Sequence, residues 1–220
     1  MLADDDIRAP QVARTIAELL RGMTPVQLSW LDERVRRGSY VDYNARSAWQ
    51  KLAPGAVPRL AQAVDFDPTV VGLIASHANG FVRAAALEVL AQQGDGQDGQ
   101  ELPFLSLRAN DWVEPVAARA TVLLTSRLRP DNRHAVLTAL PFIVRLLRQR
   151  RRDHGAIERA LRDVLLWDGA ADALARGTGF ATTVRRTMYE LLLRGETAAA
   201  VRRRQRSRGT PGGVPPRSGR

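Results

Sequence analysis

The chain has 220 residues, of which 33 are basic and 23 acidic, for a net charge of +10, and it contains no cysteine. A hydrophobic content of 45 % suffices for a sizeable core and excludes wholesale disorder, while the lack of cysteine excludes disulfides, zinc–thiolate sites and thiol nucleophiles. No run approaches the roughly 18 apolar residues of a membrane span. The acidic opening Asp4-Asp5-Asp6 is unlike the basic and then apolar start of a secretory signal, so a soluble cytoplasmic protein is expected.

Ala9-Pro10 predicts the start of a first helix, because proline in the first turn loses no hydrogen bond. Val12, Ile16, Leu19 and Leu20 follow at helical spacing, and Gly22 closes it. Thr24-Pro25-Val26-Gln27 has the form of a capping box, with Leu28, Leu31 and Val35 as the apolar stripe behind it. Residues 39–55 are less regular. Further helices are predicted over 58–64, from Asp67-Pro68 to Ala78, and over 80–93, 102–109, 111–128, 133–152, 156–166, 170–176 and 181–194. No segment alternates convincingly as a strand would, and turn residues interrupt the chain too often for one long coiled coil. The fold class is therefore all-α.

The charge is uneven. Residues 1–110 sum to −2 and residues 111–220 to +12, and the last twenty residues carry seven arginines without an acid. That Arg/Gly/Pro/Ser-rich stretch has almost nothing apolar to bury, so residues 196–220 read as a disordered basic tail. Such a tail is either a nucleic-acid arm or a solubilising end.

Within the body, Asn79-Gly80-Phe81-Val82 and Asn110-Asp111-Trp112-Val113 lie 31 residues apart. Counted from each Asn, apolar residues recur at the same offsets: Phe81, Val82, Ala85, Ala86 and Val89, then Trp112, Val113, Val116, Ala117 and Ala120. Phe180, Val184 and Met188 repeat part of the pattern. Each longer helix follows a short one, which is the signature of a helical-hairpin repeat. Here the chain resembles the HEAT-repeat family: Asn79, Val82, Arg83 and the small-residue face ending in Leu87 match that family's pattern. The second copy departs from it, with Glu114 at the arginine position and Pro115 behind.

The resemblance spans about residues 55–195, leaving 1–54 as a divergent N-terminal helical cap. It implies a short α-solenoid of stacked hairpins, a HEAT-like superhelix whose inner surface meets a partner. It also implies structural roles for Asn79, Val82, Arg83, Asn110, Asp111, Trp112 and Val113. Trp112 and Phe81 occupy equivalent offsets, so Trp112 is expected to be a packing residue and Asp111 a helix cap.

Candidates for chemistry are few. His77, His134 and His154 have no partner ligand at metal-binding spacing, so no metal or cofactor is expected. His77 reads as a helix-end cap. Ser76 beside it lacks a nucleophile-elbow context. The glycine-rich run 94–99 lacks the lysine of a phosphate loop and the acidic spacing of a calcium loop, and reads as a connection between repeats.

Arg145, Arg148 and Arg152 share one face if the helix runs to residue 152, and Arg159 extends it. This is either a phosphate-tracking stripe or cations favoured at a helix C-terminus. Trp167-Asp168, like Asp111-Trp112, pairs an indole with a carboxylate; a HEAT-like DNA glycosylase family uses such a pair on alkylated bases. The expectation is a non-enzymatic scaffold that binds a protein partner through its concave face. The alternative is a HEAT-like DNA-binding protein or glycosylase with an arginine-lined cleft.

Overall fold

A computed structural model describes residues 3–37, 49–65, 67–92, 99–149, 152–165 and 181–194, with side chains from residue 10 onward. Over these residues the chain is all-helical and holds no strand. Helix α1 spans Ala3–Arg21, α2 Pro25–Arg37, α3 Val57–Ala63, α4 Pro68–Ile74 and α5 Gly80–Gln92. They are followed by α6 (Leu102–Arg108), α7 (Glu114–Arg127), α8 (Arg133–Arg148) and α9 (Gly155–Leu165). A further helix, α10, covers 182–194.

Local chemistry explains the helix starts. Pro58, Pro68, Pro103 and Pro115 sit in the first turns of α3, α4, α6 and α7, where a missing N–H has no intrahelical bond to lose. Thr24 and Gln27 form the expected capping box. The Gln27 amide donates to Thr24 Oγ1 at 3.3 Å, and the Thr24 amide donates to Gln27 Oε1 at 2.9 Å. Asp67 caps α4 by accepting from the amides of Thr69 (2.8 Å) and Val70 (3.2 Å).

Several helices differ from expectation. α4 ends at Ile74 rather than Ala78, α7 begins at Glu114 rather than at 111, and α1 and α8 differ more instructively. α1 already begins at Ala3, so Pro10 lies inside it rather than at its start. One lost backbone hydrogen bond is the local cost, and buried Ala13, Ala17 and Leu20 downstream supply the packing that offsets it. α8 stops at Arg148, because Gln149 takes an extended conformation (φ −86°, ψ 97°). Continuing it to residue 152 would stack arginines three and four apart, which repel one another.

Helices α4, α6 and α8 pack against one another in series, as do α3, α5, α7 and α9. α4 lies on α5 and α6 on α7, so the two rows make two layers; α1 rests on α3 and α4, and α2 on α8. A shared core that includes Ile74, Leu87, Leu105, Leu124, Ile143 and Leu161 fills the space between them, and Val184, Met188 and Leu191 of α10 join it. Each such side chain contributes about 1.5–3 kcal/mol when fully buried.

The two central pairs are offset by 34 residues, whereas Asn79 and Asn110, the markers of the sequence repeat, lie 31 apart. α4 and α6 begin at 68 and 102, and α5 and α7 at 80 and 114. Burial follows that register: Val82, Ala86, Val89 and Leu90 are matched by Val116, Ala120, Leu123 and Leu124. Aligning Asn79 with Asn110 misled by three residues because the two Asn sit at different places in turns of equal length. Asn79 ends the turn 75–79, whereas Asn110 is second in the turn 109–113, and Pro115 sets where α7 begins.

Candidate functional site

The most unusual chemistry lies at the turn between α6 and α7. Asp111 is 1 % exposed. It does not cap α7 directly; its Oδ1 accepts from the Val113 amide at 3.0 Å and bends the chain back before the helix begins. The same carboxylate takes the Nη2 of Arg83 on Oδ1 and the Nη1 of Arg108 on Oδ2, each at 3.0 Å. Arg83 Nε also lies 3.0 Å from Oδ2. Arg83 comes from α5 and Arg108 from the end of α6, so one carboxylate ties three segments together.

The network continues into α2. Arg108 Nη2 donates to Asp32 Oδ1, Arg36 Nη2 donates to Asp32 Oδ2 at 2.7 Å, and Arg36 Nη1 stands 3.8 Å from Asp111 Oδ2. Three guanidiniums thus surround two carboxylates, with Arg83 and Arg108 wholly enclosed. Arg83 also donates to the carbonyls of His77 and Ala78, both at 2.8 Å.

Burial pushes the Asp32 carboxyl up, but the neighbouring Arg108 and Arg36 guanidiniums more than offset that and hold it below its ordinary value of 3.8. Arg108 is pulled below the usual arginine range by burial and by Arg36, against the opposing pull of Asp32 and Asp111. Isolated charges at this depth would cost several kcal/mol each, so the arrangement holds only as a set.

Trp112 follows Asp111 in sequence but points outward, 74 % exposed, and Phe81 at the start of α5 is 77 % exposed. The packing role expected for both is not theirs: the buried stripe of α5 runs through Val82, Ala86, Val89 and Leu90 and leaves Phe81 off it, and Trp112 lies in the turn before α7. Of the other motif residues, Asn79 is exposed and accepts from the Phe81 amide at 2.9 Å, and Val113 is half-buried. A Cβ on Gly80 would lie 3.5 Å from Val113 Cγ2, so the start of α5 abuts the turn that carries Trp112. Asn110 donates through Nδ2 to Gln149 Oε1 at 2.5 Å. The indole borders an open cleft of about 680 Å³ that Ser29, Asp32, Arg36, Leu107 and Gln149 also line.

The arginine stripe is not a single face. Arg145 turns toward α2 and α6, beside Ser29 and Phe142. Arg148 and Arg152 reach a second cleft, of about 670 Å³, together with Arg186 and Arg194 of α10. Arg152 has left the helix; it donates through Nε to the Asp111 carbonyl at 3.1 Å and pairs with Glu114. Arg159 is exposed on α9. Trp167 and Asp168 lie outside the described residues, as do Phe180, the predicted helix 170–176, most of the glycine-rich run and the basic tail.

His77 is buried and bridges two segments: its Nδ1 accepts from the Asn79 amide at 2.9 Å, and its Nε2 lies 2.7 Å from the Trp49 carbonyl. Among the described residues no three His, Asp or Glu side chains are placed to hold a metal ion, and no helix is long and apolar enough to cross a membrane.

Sequence reading missed the part played by α2. Asp32 and Arg36 stand four residues apart, which reads as an ordinary surface pair, and nothing near them signals Arg108, 76 residues away. No protein-family model matches this chain, and no curated protein or solved structure aligns with it.

Proposed function

We propose that the protein is a non-enzymatic scaffold, a short HEAT-like α-solenoid that binds a protein partner through a concave face carrying Trp112. The solenoid reading is supported by the serial packing of α4, α6 and α8 and of α3, α5, α7 and α9. The 34-residue offset between successive helix pairs supports it too. Arg83 reaching from one pair to Asp111 in the turn of the next is the kind of link that holds adjacent repeats in register.

The observation that carries the binding reading is the exposed indole of Trp112 mounted beside a buried ion network. An exposed tryptophan on a rigid base is a typical interface anchor, since it offers a large contact area at low entropic cost. The glycosylase alternative needs a carboxylate free to face substrate, and the one beside Trp112 is engaged by Arg83, Arg108 and the Val113 amide. Nucleic-acid binding along an arginine stripe has less support, because Arg145 and Arg159 stand apart from Arg148 and Arg152.

The test is a photoreactive phenylalanine analogue at position 112, cross-linked in cells. The reading expects polypeptide adducts that disappear when the partner is depleted. Nucleic-acid adducts, or none, would overturn it.

A further inference from the structure

The second cleft, between the end of α8, the start of α9 and α10, carries unspent chemistry of its own. Arg152 is occupied by Asp111 and Glu114, and Arg186 by Glu190 at 3.0 Å. Arg148 and Arg194, the last residues of α8 and α10, line the same cleft with no ion-pair partner among the described residues. His154 forms part of the wall; it is buried, and its Nε2 has no hydrogen-bond partner among the described residues. A buried polar nitrogen left unpaired is costly, and a ligand with matching groups would recover that cost.

Two guanidiniums without an ion-pair partner among the described residues suit phosphate or carboxylate oxygens, since their planar forks bind such oxygens in pairs. The remaining lining narrows the class. Asp153, Glu158 and Glu190 also border the cleft. Their charge repels an extended polyanion such as a nucleic-acid backbone, whereas carboxylates readily accept hydrogen bonds from hydroxyl groups. Asp153 is already used, accepting from the Gly155 amide at 2.8 Å at the start of α9. A volume of about 670 Å³ is the size of a small-molecule site.

We propose that this cleft binds a small phosphomonoester bearing free hydroxyl groups. Arg148 and Arg194 take the phosphoryl oxygens, Glu158 accepts from a hydroxyl, and His154 gains a partner for Nε2. The site is separate from the Trp112 surface, so it stands whether or not that surface binds a protein.

The test is calorimetric titration of the full chain with ribose 5-phosphate, inorganic phosphate, ribose, a phosphoserine peptide and a short DNA duplex. The wild-type protein is compared with the double variant Arg148→Gln/Arg194→Gln. Both arginines are exposed, so the variant should melt with the wild type, and the basic tail contributes equally to both proteins. Ribose 5-phosphate should bind at least tenfold more tightly to the wild type than to the variant, and more tightly than inorganic phosphate or ribose. Equal binding by the two proteins, no binding, or equal affinity for inorganic phosphate would overturn the proposal. So would a variant-sensitive preference for the phosphoserine peptide or the duplex.

Discussion

Arg83 and Asp111, 28 residues apart in sequence, meet inside the protein with Nη2–Oδ1 and Nε–Oδ2 separations of 3.0 Å and neither side chain exposed. Asp111 is also the hub for Arg108 and for the Val113 amide, so removing its carboxylate strands two buried guanidiniums at once. Loss of one partner from a buried pair costs about 3–5 kcal/mol. At roughly 2–4 °C per kcal/mol for a chain of this size, Asp111→Ala should lower the melting temperature by on the order of 10 °C. Melting by circular dichroism measures this, and a variant that melts with the wild type would mean that the network adds no stability.

Asp32 gives a pH signature. Its folded-state pKa lies below the ordinary 3.8, so its pairing with Arg108 and Arg36 adds stability that is fully present above that value. The contribution falls away as pH drops through the folded-state value. Asp32→Asn removes the charge at every pH. The wild type should therefore exceed this variant in urea midpoint by a constant margin near neutrality, and the margin should shrink below pH 3.8. A margin that grows on acidification would contradict the assignment of Arg108 and Arg36 as its stabilising partners.

What was legible in the sequence follows the range of the forces involved. Helix starts at Thr24-Pro25 and Asp67-Pro68 are local, because a cap or a ring needs only its nearest neighbours, whereas Pro10 misled because the helix continues upstream of it. The all-α class is local too, being set by the spacing of apolar residues. Register was not: Phe81 and Trp112 share the same spacing from an Asn, but which face of a helix is covered depends on the neighbouring helix. The ion network was least legible, since Asp32 and Arg108 are joined only through tertiary packing. The arginine run misled for a related reason. Its spacing implied one helical face, and the extended backbone at Gln149 sends Arg152 back to Asp111 instead.

Trp112 separates binding from stability. Its side chain is largely exposed, so Trp112→Ala should change folding free energy by no more than about 0.5 kcal/mol. An interface anchor of this type is worth about 2 kcal/mol or more when truncated. The expected outcome is an unchanged melt together with a loss of at least tenfold in affinity for the polypeptide captured by cross-linking. A large fall in melting temperature would instead show that the indole supports the turn.

Two glycines test the packing itself. A Cβ at Gly72 in α4 would lie 2.4 Å from the Cδ2 of Phe104, a buried ring in α6, so these helices approach at a distance only glycine permits. Gly99, in the turn before α6, combines a left-handed φ of +59° with a Cβ position 2.4 Å from Ala135 Cβ in α8. Gly72→Ala must push the Phe104 ring aside, at a cost of about 1–3 kcal/mol for an overfilled core. Gly99→Ala adds roughly 1 kcal/mol of backbone strain to a similar clash. Gly55→Ala is the control: nothing lies within 4 Å of its Cβ position. It should be neutral or slightly stabilising, because alanine narrows the unfolded ensemble. Urea denaturation should therefore rank the variants Gly55→Ala, Gly72→Ala and Gly99→Ala in order of falling stability. If Gly72→Ala matched Gly55→Ala, α4 and α6 would not be in close contact at Phe104.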